Sequence, residues 1–265
     1  MKKYLMLFLL ALQCEMTFSK DLSTLASSCQ DNWVNVEKTL GSQINQKHLA
    51  EWLSLKDKCS GTGVYEYRLA YIYRNTGDSA EAKNLLHDSL EKNIDNKYML
   101  KASLLELQYS ELALSGNKEL EKYEEIVQGY KHIINSNPKW VPAYELVSGI
   151  ELFINKEDDA YSHATKALEL KPESWAAMRN LLVIHAQRKE YELARQYIVP
   201  AVKLNEWLLG ETEFSMAAAV TYINLDELKT AEAVLTNLLQ RRPDIKADPT
   251  FINIVKHLKT KLQQP

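Results

Sequence analysis

An all-α row of helical hairpins is the fold class this sequence predicts, and two observations carry it. The first is a fixed period: Ile126, Ala160 and Ala194 follow one another at 34-residue intervals. Each opens the same short pattern, continued by Tyr130, Ala164 or Ile198 and then by Ile133, Ala167 or Ala201. Pro138 and Pro172, again 34 residues apart, close the first two copies. A period of this length marks supersecondary units that bury their apolar faces against their neighbours. The second is a scarcity of turn formers: the 265 residues include 8 Gly and 7 Pro. That favours helices joined by short links over a many-stranded sheet.

The chain is 46% hydrophobic and 25% charged, a balance that supports folded structure. Its formal charge is −3. With no basic excess to follow a phosphate backbone, nucleic acid is not an expected partner.

Residues 1–19 read as a secretory signal peptide, with Lys2 and Lys3 ahead of a nine-residue apolar run ending at Leu12. Thr17 and Ser19 supply small residues before a cut at Lys20. As a helix that run spans roughly 14 Å, short of a bilayer core of about 30 Å. Cys14 offers a second route, lipidation, although Ala11 and Gln13 depart from the preferred lipobox. The expected location is therefore the periplasm or cell envelope, with membrane contact only if Cys14 is lipidated. Cys29 and Cys59 meet an oxidising compartment in that setting, where they pair as a disulfide or stay as separately buried thiols.

Residues 20–62 are expected to form an N-terminal helical cap with helices over 22–40 and 46–58. The first unit then opens after the Ser60–Gly63 turn with Tyr67, Leu69, Ala70, Ile72 and Tyr73 on one helical face. Asp78 and Glu81 have capping-box spacing at the start of its second helix, whose apolar side is Ala82, Leu85, Leu86 and Leu90. The second unit is longer: a helix over 97–114 and the stretch 115–118 put Ala82 and Ile126 44 residues apart. Three extra residues also lie between Ala194 and Ala231. Phe251, Ile252, Ile254, Val255, Leu258 and Leu262 make an amphipathic capping helix within 246–265, with Lys256, Lys259 and Lys261 outward.

A 34-residue helix–turn–helix with small residues at the crossing and a closing Pro resembles the tetratricopeptide repeat. The first unit matches through Leu69-Ala70, Tyr73, Gly77 and Ala82, with Ile94 in place of the Pro. The third matches through Tyr144, Ser148, Ala160, Ala164, Ala167 and Pro172. The fourth keeps Leu181, Ala194 and Ala201 but has Leu182 at the small-residue place and Glu206 at the Pro. The last has Ala218, Ala219, Tyr222, Ala231, Leu235, Leu238 and Pro243. The resemblance covers residues 63–245. It implies a right-handed superhelical solenoid of about five repeats with capping helices at both ends.

The resemblance also implies a concave groove lined by first helices. Carried over position by position, its candidate partner-binding residues are Tyr67, Tyr71, Arg74, Asn75, Leu152, Phe153, Arg179, Val183, Met216, Val220, Ile223 and Asn224. Tyr67, Tyr71 and Arg74 are interface-anchoring types. Asn75 and Asn224 are placed to bond a peptide backbone. Leu152, Phe153, Val183, Met216, Val220 and Ile223 are apolar, which suits an amphipathic helix. Arg74, Asn75, Arg179 and Asn224 make an incomplete version of the family's carboxylate clamp. The competing reading is that the apolar positions are covered within the fold.

The six histidines lie in separate units, and the sequence has no HExxH, GxSxG or glycine-rich phosphate loop. No enzyme, cofactor or metal site is expected. The expected function is a non-catalytic scaffold of the bacterial cell envelope that binds a protein or peptide segment. The alternatives are a periplasmic holder of hydrophobic or unfolded clients and an accessory subunit of a surface-polymer enzyme. The sequence leaves oligomeric state open.

Overall fold

The computed structural model describes Cys29 and residues 46–92, 94, 96–116 and 119–263, and its described residues form helices and short connections with no strand. The signal-like segment and, apart from Cys29, the helix expected over 22–40 lie outside them. The chain divides into two compact units, one running to Asn137 and one from Pro138.

The N-terminal unit holds α1 (Gln46–Leu53), α2 (Lys56–Cys59), α3 (Val64–Asn75), α4 (Ser79–Leu90), α5 (Lys97–Ser115) and α6 (Leu120–Ser136). Residues 46–58 therefore form two helices rather than the expected one. The break falls where Leu55 N–H bonds to Trp52 O and Ser54 Oγ donates to Glu51 O. A serine that bonds its own backbone competes with helix continuation. Trp52 and Tyr65 pack with ring centroids 6.1 Å apart, and Tyr65 OH donates to Trp52 O at 3.0 Å, which holds α1 against α3. The Cys29–Cys59 disulfide is formed, with Cα atoms 5.3 Å apart.

The start of α3 carries a cap that sequence reasoning missed. The Glu66 carboxylate accepts from Gly61 N–H at 2.5 Å and Gly63 N–H at 2.9 Å, closing the turn onto the helix. It also brings negative charge to the positive end of the helix dipole. The expected capping box at α4 is not made: Asp78 holds the N-cap position, and its side chain forms no cap bond. The long second-unit helix is confirmed as α5, 19 residues.

The C-terminal unit holds α7 (Val141–Phe153), α8 (Glu157–Leu170), α9 (Trp175–Gln187), α10 (Tyr191–Leu204), α11 (Thr212–Asn224), α12 (Leu228–Arg241) and α13 (Pro249–Leu262). Short 3-10 turns span Glu206–Gly210 and Pro243–Ala247. The first of these absorbs the extra residues before Ala231. Small residues stand where helices cross: Ala160, Ala164, Ala194, Ala201, Ala219 and Ala231 are fully buried. In the last two hairpins they pack with Leu182, Phe214, Ile223, Leu235 and Leu238 into one core that also takes Phe251 and Leu258 of α13. The sequence-level face of α13 needs correcting, because Ile252 and Leu262 are exposed.

Four hairpins turn in the same way. Asp78 N–H bonds to Tyr73 O, Lys156 to Glu151, Glu190 to His185 and Glu227 to Tyr222, at 2.7–2.9 Å. Each bond closes a Schellman motif around a left-handed residue: Gly77, Asn155, Lys189 or Asp226. The repeat is thus written in the turn geometry as well as in the apolar pattern, although only one of the four is glycine.

Candidate partner-binding face

In the N-terminal unit, α3 and α5 lie side by side, and the candidate residues of α3 are engaged at their junction. Arg74 Nη1 donates to Glu106 Oε2 at 2.5 Å, with both side chains nearly buried. Burial works against the guanidinium charge, and the attraction of Glu106 outweighs it, so its pKa stands above its ordinary value. The Tyr71 ring lies under two guanidinium groups, Arg68 at 5.0 Å and Arg74 at 5.3 Å. Tyr67 and Tyr71 are buried, and Asn75 Nδ2 donates to Tyr71 O at 2.7 Å. The expectation that this aromatic and cationic group stands out toward a partner is corrected. It joins one first helix to the next.

The C-terminal unit repeats the device. Here α7, α9 and α11 are laid side by side in chain order. Arg179 on α9 is buried and donates through Nη2 to Glu211 at 3.2 Å and to Glu213. Burial again opposes the charge and the two carboxylates outweigh it, which raises the guanidinium pKa. Glu211 has a second task, because its carboxylate accepts from Glu213 N–H and Phe214 N–H and so caps α11. Asn180 Nδ2 donates to Ser148 Oγ at 2.7 Å, and Ser174 Oγ, the cap of α9, donates to Glu145 Oε1 at 2.5 Å. These bonds fasten α9 to both neighbours. Arg179 therefore belongs to the framework, not to a clamp for a partner's carboxylate.

Sequence reasoning missed Glu106, Asn180 and Glu211. A signal for two of them was present: Glu106 follows Arg74, and Glu211 follows Arg179, by 32 residues. Opposite charges about one repeat apart on first helices mark such links.

The remaining candidates divide by exposure. Val183 and Ile223 are buried, while Leu152, Met216 and Val220 are half-buried and Phe153 is 41% exposed. Asn224 Nδ2 donates to Val220 O at 2.8 Å, as Asn75 does in α3, so both amides are partly engaged by their own helices. A second polar cluster lies where α8, α9 and α10 meet. His185 Nδ1 lies 2.6 Å from Glu190 Oε2, and its ring stacks on Tyr197 at 5.8 Å and meets Tyr161 edge-on. Arg188 reaches Glu157 and Asp158 in the first turn of α8 and lies over Tyr161. The acidic first turn of α8 thus holds the next hairpin.

The fold and these links define a class: helical hairpins whose first helices lie side by side within each unit. Residues 67–91 match the model of the tetratricopeptide repeat family. Solved structures show the same fold. A tetratricopeptide repeat protein from Parabacteroides merdae is 16% identical, with 76% of this chain and 73% of that chain covered, at TM-score 0.50. A thermophilic protein of this type from Thermus thermophilus is 16% identical, with 77% and 100% covered, at TM-score 0.51. The structure of pilF from Pseudomonas aeruginosa is 17% identical, with 75% and 90% covered, at TM-score 0.53. No curated protein sequence matches the chain.

The match is confined to one stretch of the chain, and the helical-hairpin fold is that of tetratricopeptide repeat proteins. Proteins of this kind are generally non-catalytic modules that bind peptide or protein partners.

Proposed function

We propose that this protein is an exported scaffold of the bacterial cell envelope that binds a segment of a partner protein on the first-helix face of its C-terminal unit. One observation carries the reading: α7, α9 and α11 form a wall fixed by Asn180–Ser148 and Arg179–Glu211, with Leu152, Met216 and Val220 only half-buried on the same helices. A pre-ordered wall loses little conformational freedom on binding, so its apolar contacts count toward affinity. An amphipathic helix laid across it matches the spacing of such anchors. The Cys29–Cys59 disulfide supports the exported setting, since such bonds persist in oxidising compartments.

The test is site-specific photocrosslinking in intact cells, with the reactive residue at Val220 in one strain and at exposed Gln240 on α12 in another. A discrete adduct at Val220 that is absent at Gln240 is the expected result. A smear of many exported proteins at Val220 favours a holder of non-native clients. No adduct at Val220 overturns the binding assignment. A reporter fused after residue 265 that is active only in the cytoplasm overturns the exported location.

A further inference from the structure

We propose that the outward face of α13 is a second docking site, built for an acidic amphipathic helix of a partner protein. The face holds a recess of about 500 Å³ that runs along the helix. Phe251, Ile252 and Val255 form its apolar floor, and Lys246, Lys256 and Lys259 are among its walls. Ile252 is 50% exposed, a large aliphatic side chain left in water on a helix whose other face is well buried. No carboxylate lines the recess. The nearby acids are engaged elsewhere: Asp244 pairs with Arg242, Asp248 caps α13 through Thr250 and Phe251 N–H, and Asp226 holds Lys261.

The architecture states what the lysines lack. Along this unit, successive hairpins are joined by cation–carboxylate pairs about one repeat apart: Arg179 to Glu211, Glu206 to Arg241 and Asp226 to Lys261. Lys246, Lys256 and Lys259 come after the last hairpin and have no carboxylate partner among the described residues. A helix supplied by a partner completes the pattern, with leucine-like side chains in the recess and acidic residues against the lysines. The recess runs for much of a helix of 14 residues, roughly 21 Å, which fits a helix better than an extended tail. A concave floor of three apolar side chains also fits side chains better than a lipid surface, which takes a broad convex apolar face.

The test uses the full chain and a fluorescent stapled peptide of 14 residues, the length of α13, with leucines at helical spacing and glutamates elsewhere. Controls are the same composition scrambled and a version with glutamine for glutamate. Anisotropy titrations at low salt should show the acidic amphipathic peptide binding and both controls at least about tenfold weaker. The double variant Lys256→Glu/Lys259→Glu, and separately Ile252→Glu, should each weaken binding by about tenfold or more with unchanged helicity and melting. Val220→Glu should leave it unchanged, which separates this site from the first-helix face. Absence of binding to the wild type, equal binding by the α13 variants, or capture by phosphatidylglycerol vesicles that the peptide cannot displace would overturn the proposal.

Discussion

Arg179 and Glu211 form a buried ion pair across two repeats, Nη2 to Oε1 at 3.2 Å, with side chains 4% and 7% exposed. Glu213 also accepts from Arg179 but is 54% exposed. The two carboxylates are therefore not equivalent. Arg179→Met leaves Glu211 buried without its cation and should lower stability by about 3–5 kcal/mol. Glu213→Gln removes a solvated charge and should cost less than about 1 kcal/mol. Adding Glu211→Gln to Arg179→Met should recover part of the loss, since Gln keeps an acceptor for the α11 cap. Urea denaturation of the four chains decides it, and equal losses for Arg179→Met and Glu213→Gln would show that burial does not set the energy.

Lys189 and Gly77 hold equivalent hairpin turns with φ of 62° and 96°. The left-handed region costs a side-chain-bearing residue about 1–2 kcal/mol and glycine nothing. Lys189→Gly should raise stability by up to about 1 kcal/mol, less the added freedom of the unfolded chain. Gly77→Ala should lower it by about 1 kcal/mol. Thermal melts that move in the same direction would refute this.

Ala194 and Gly129 are tight in different ways. Ala194 is fully buried at a helix crossing, and Ala194→Leu should overpack it at a cost of about 1–3 kcal/mol. A Cβ at Gly129 would lie 2.7 Å from Leu105 Cδ2 on α5, the far end of a flexible side chain. Gly129→Ala should then be nearly neutral, because Leu105 can turn aside and alanine gains about 1 kcal/mol of helix propensity. A large loss for Gly129→Ala in denaturant titration would mean that Leu105 is held in place.

Reducing the Cys29–Cys59 bond frees a loop of sequence separation 30 and should cost roughly 3 kcal/mol, on the chain-entropy account. In a Cys14→Ser chain denatured without reductant, thiol labelling should find no free cysteine. Hydrogen exchange after reduction should accelerate in α1 to α3 and leave α9 to α12 protected. Uniform acceleration would contradict the division into two compact units.

Tyr65 and Tyr130 set the response to alkali. Burial first, then the charge of Glu66, pushes the Tyr65 phenol well above its ordinary 10.0. Burial first, then Glu106, does the same for Tyr130, whose hydroxyl donates to Ala102 O. Above the ordinary value the unfolded chain releases these protons while the folded chain keeps them. Rising pH therefore favours unfolding. The contribution is complete below pH 10 and is lost as pH climbs toward the raised values. Tyrosinate absorbance should rise in two phases, the second coinciding with loss of helicity. A single phase without unfolding would show that these phenols are accessible.

The sequence by itself determined the helical hairpins, their period, the long helix α5 and the closing helix α13. Apolar periodicity reports what each helix buries against its own hairpin, and that information is local. It also supplied the two cysteines that pair. Only the tertiary structure decided which polar residues serve the fold and which are left for a partner. Arg74, Arg179, Asn75 and Asn224 are placed on first helices by their register, yet register does not say what the adjacent helix brings. Glu106 and Glu211 come from one repeat further on and claim both arginines. The Asn75 and Asn224 amides turn back on carbonyls four residues earlier. The Asp78 and Glu66 caps show the same limit at short range: spacing proposes a hydrogen bond, and backbone geometry at the helix start decides whether it is made. A charge's role depends on the nearest opposite charge in space, and in a row of hairpins that neighbour is about one repeat away in sequence.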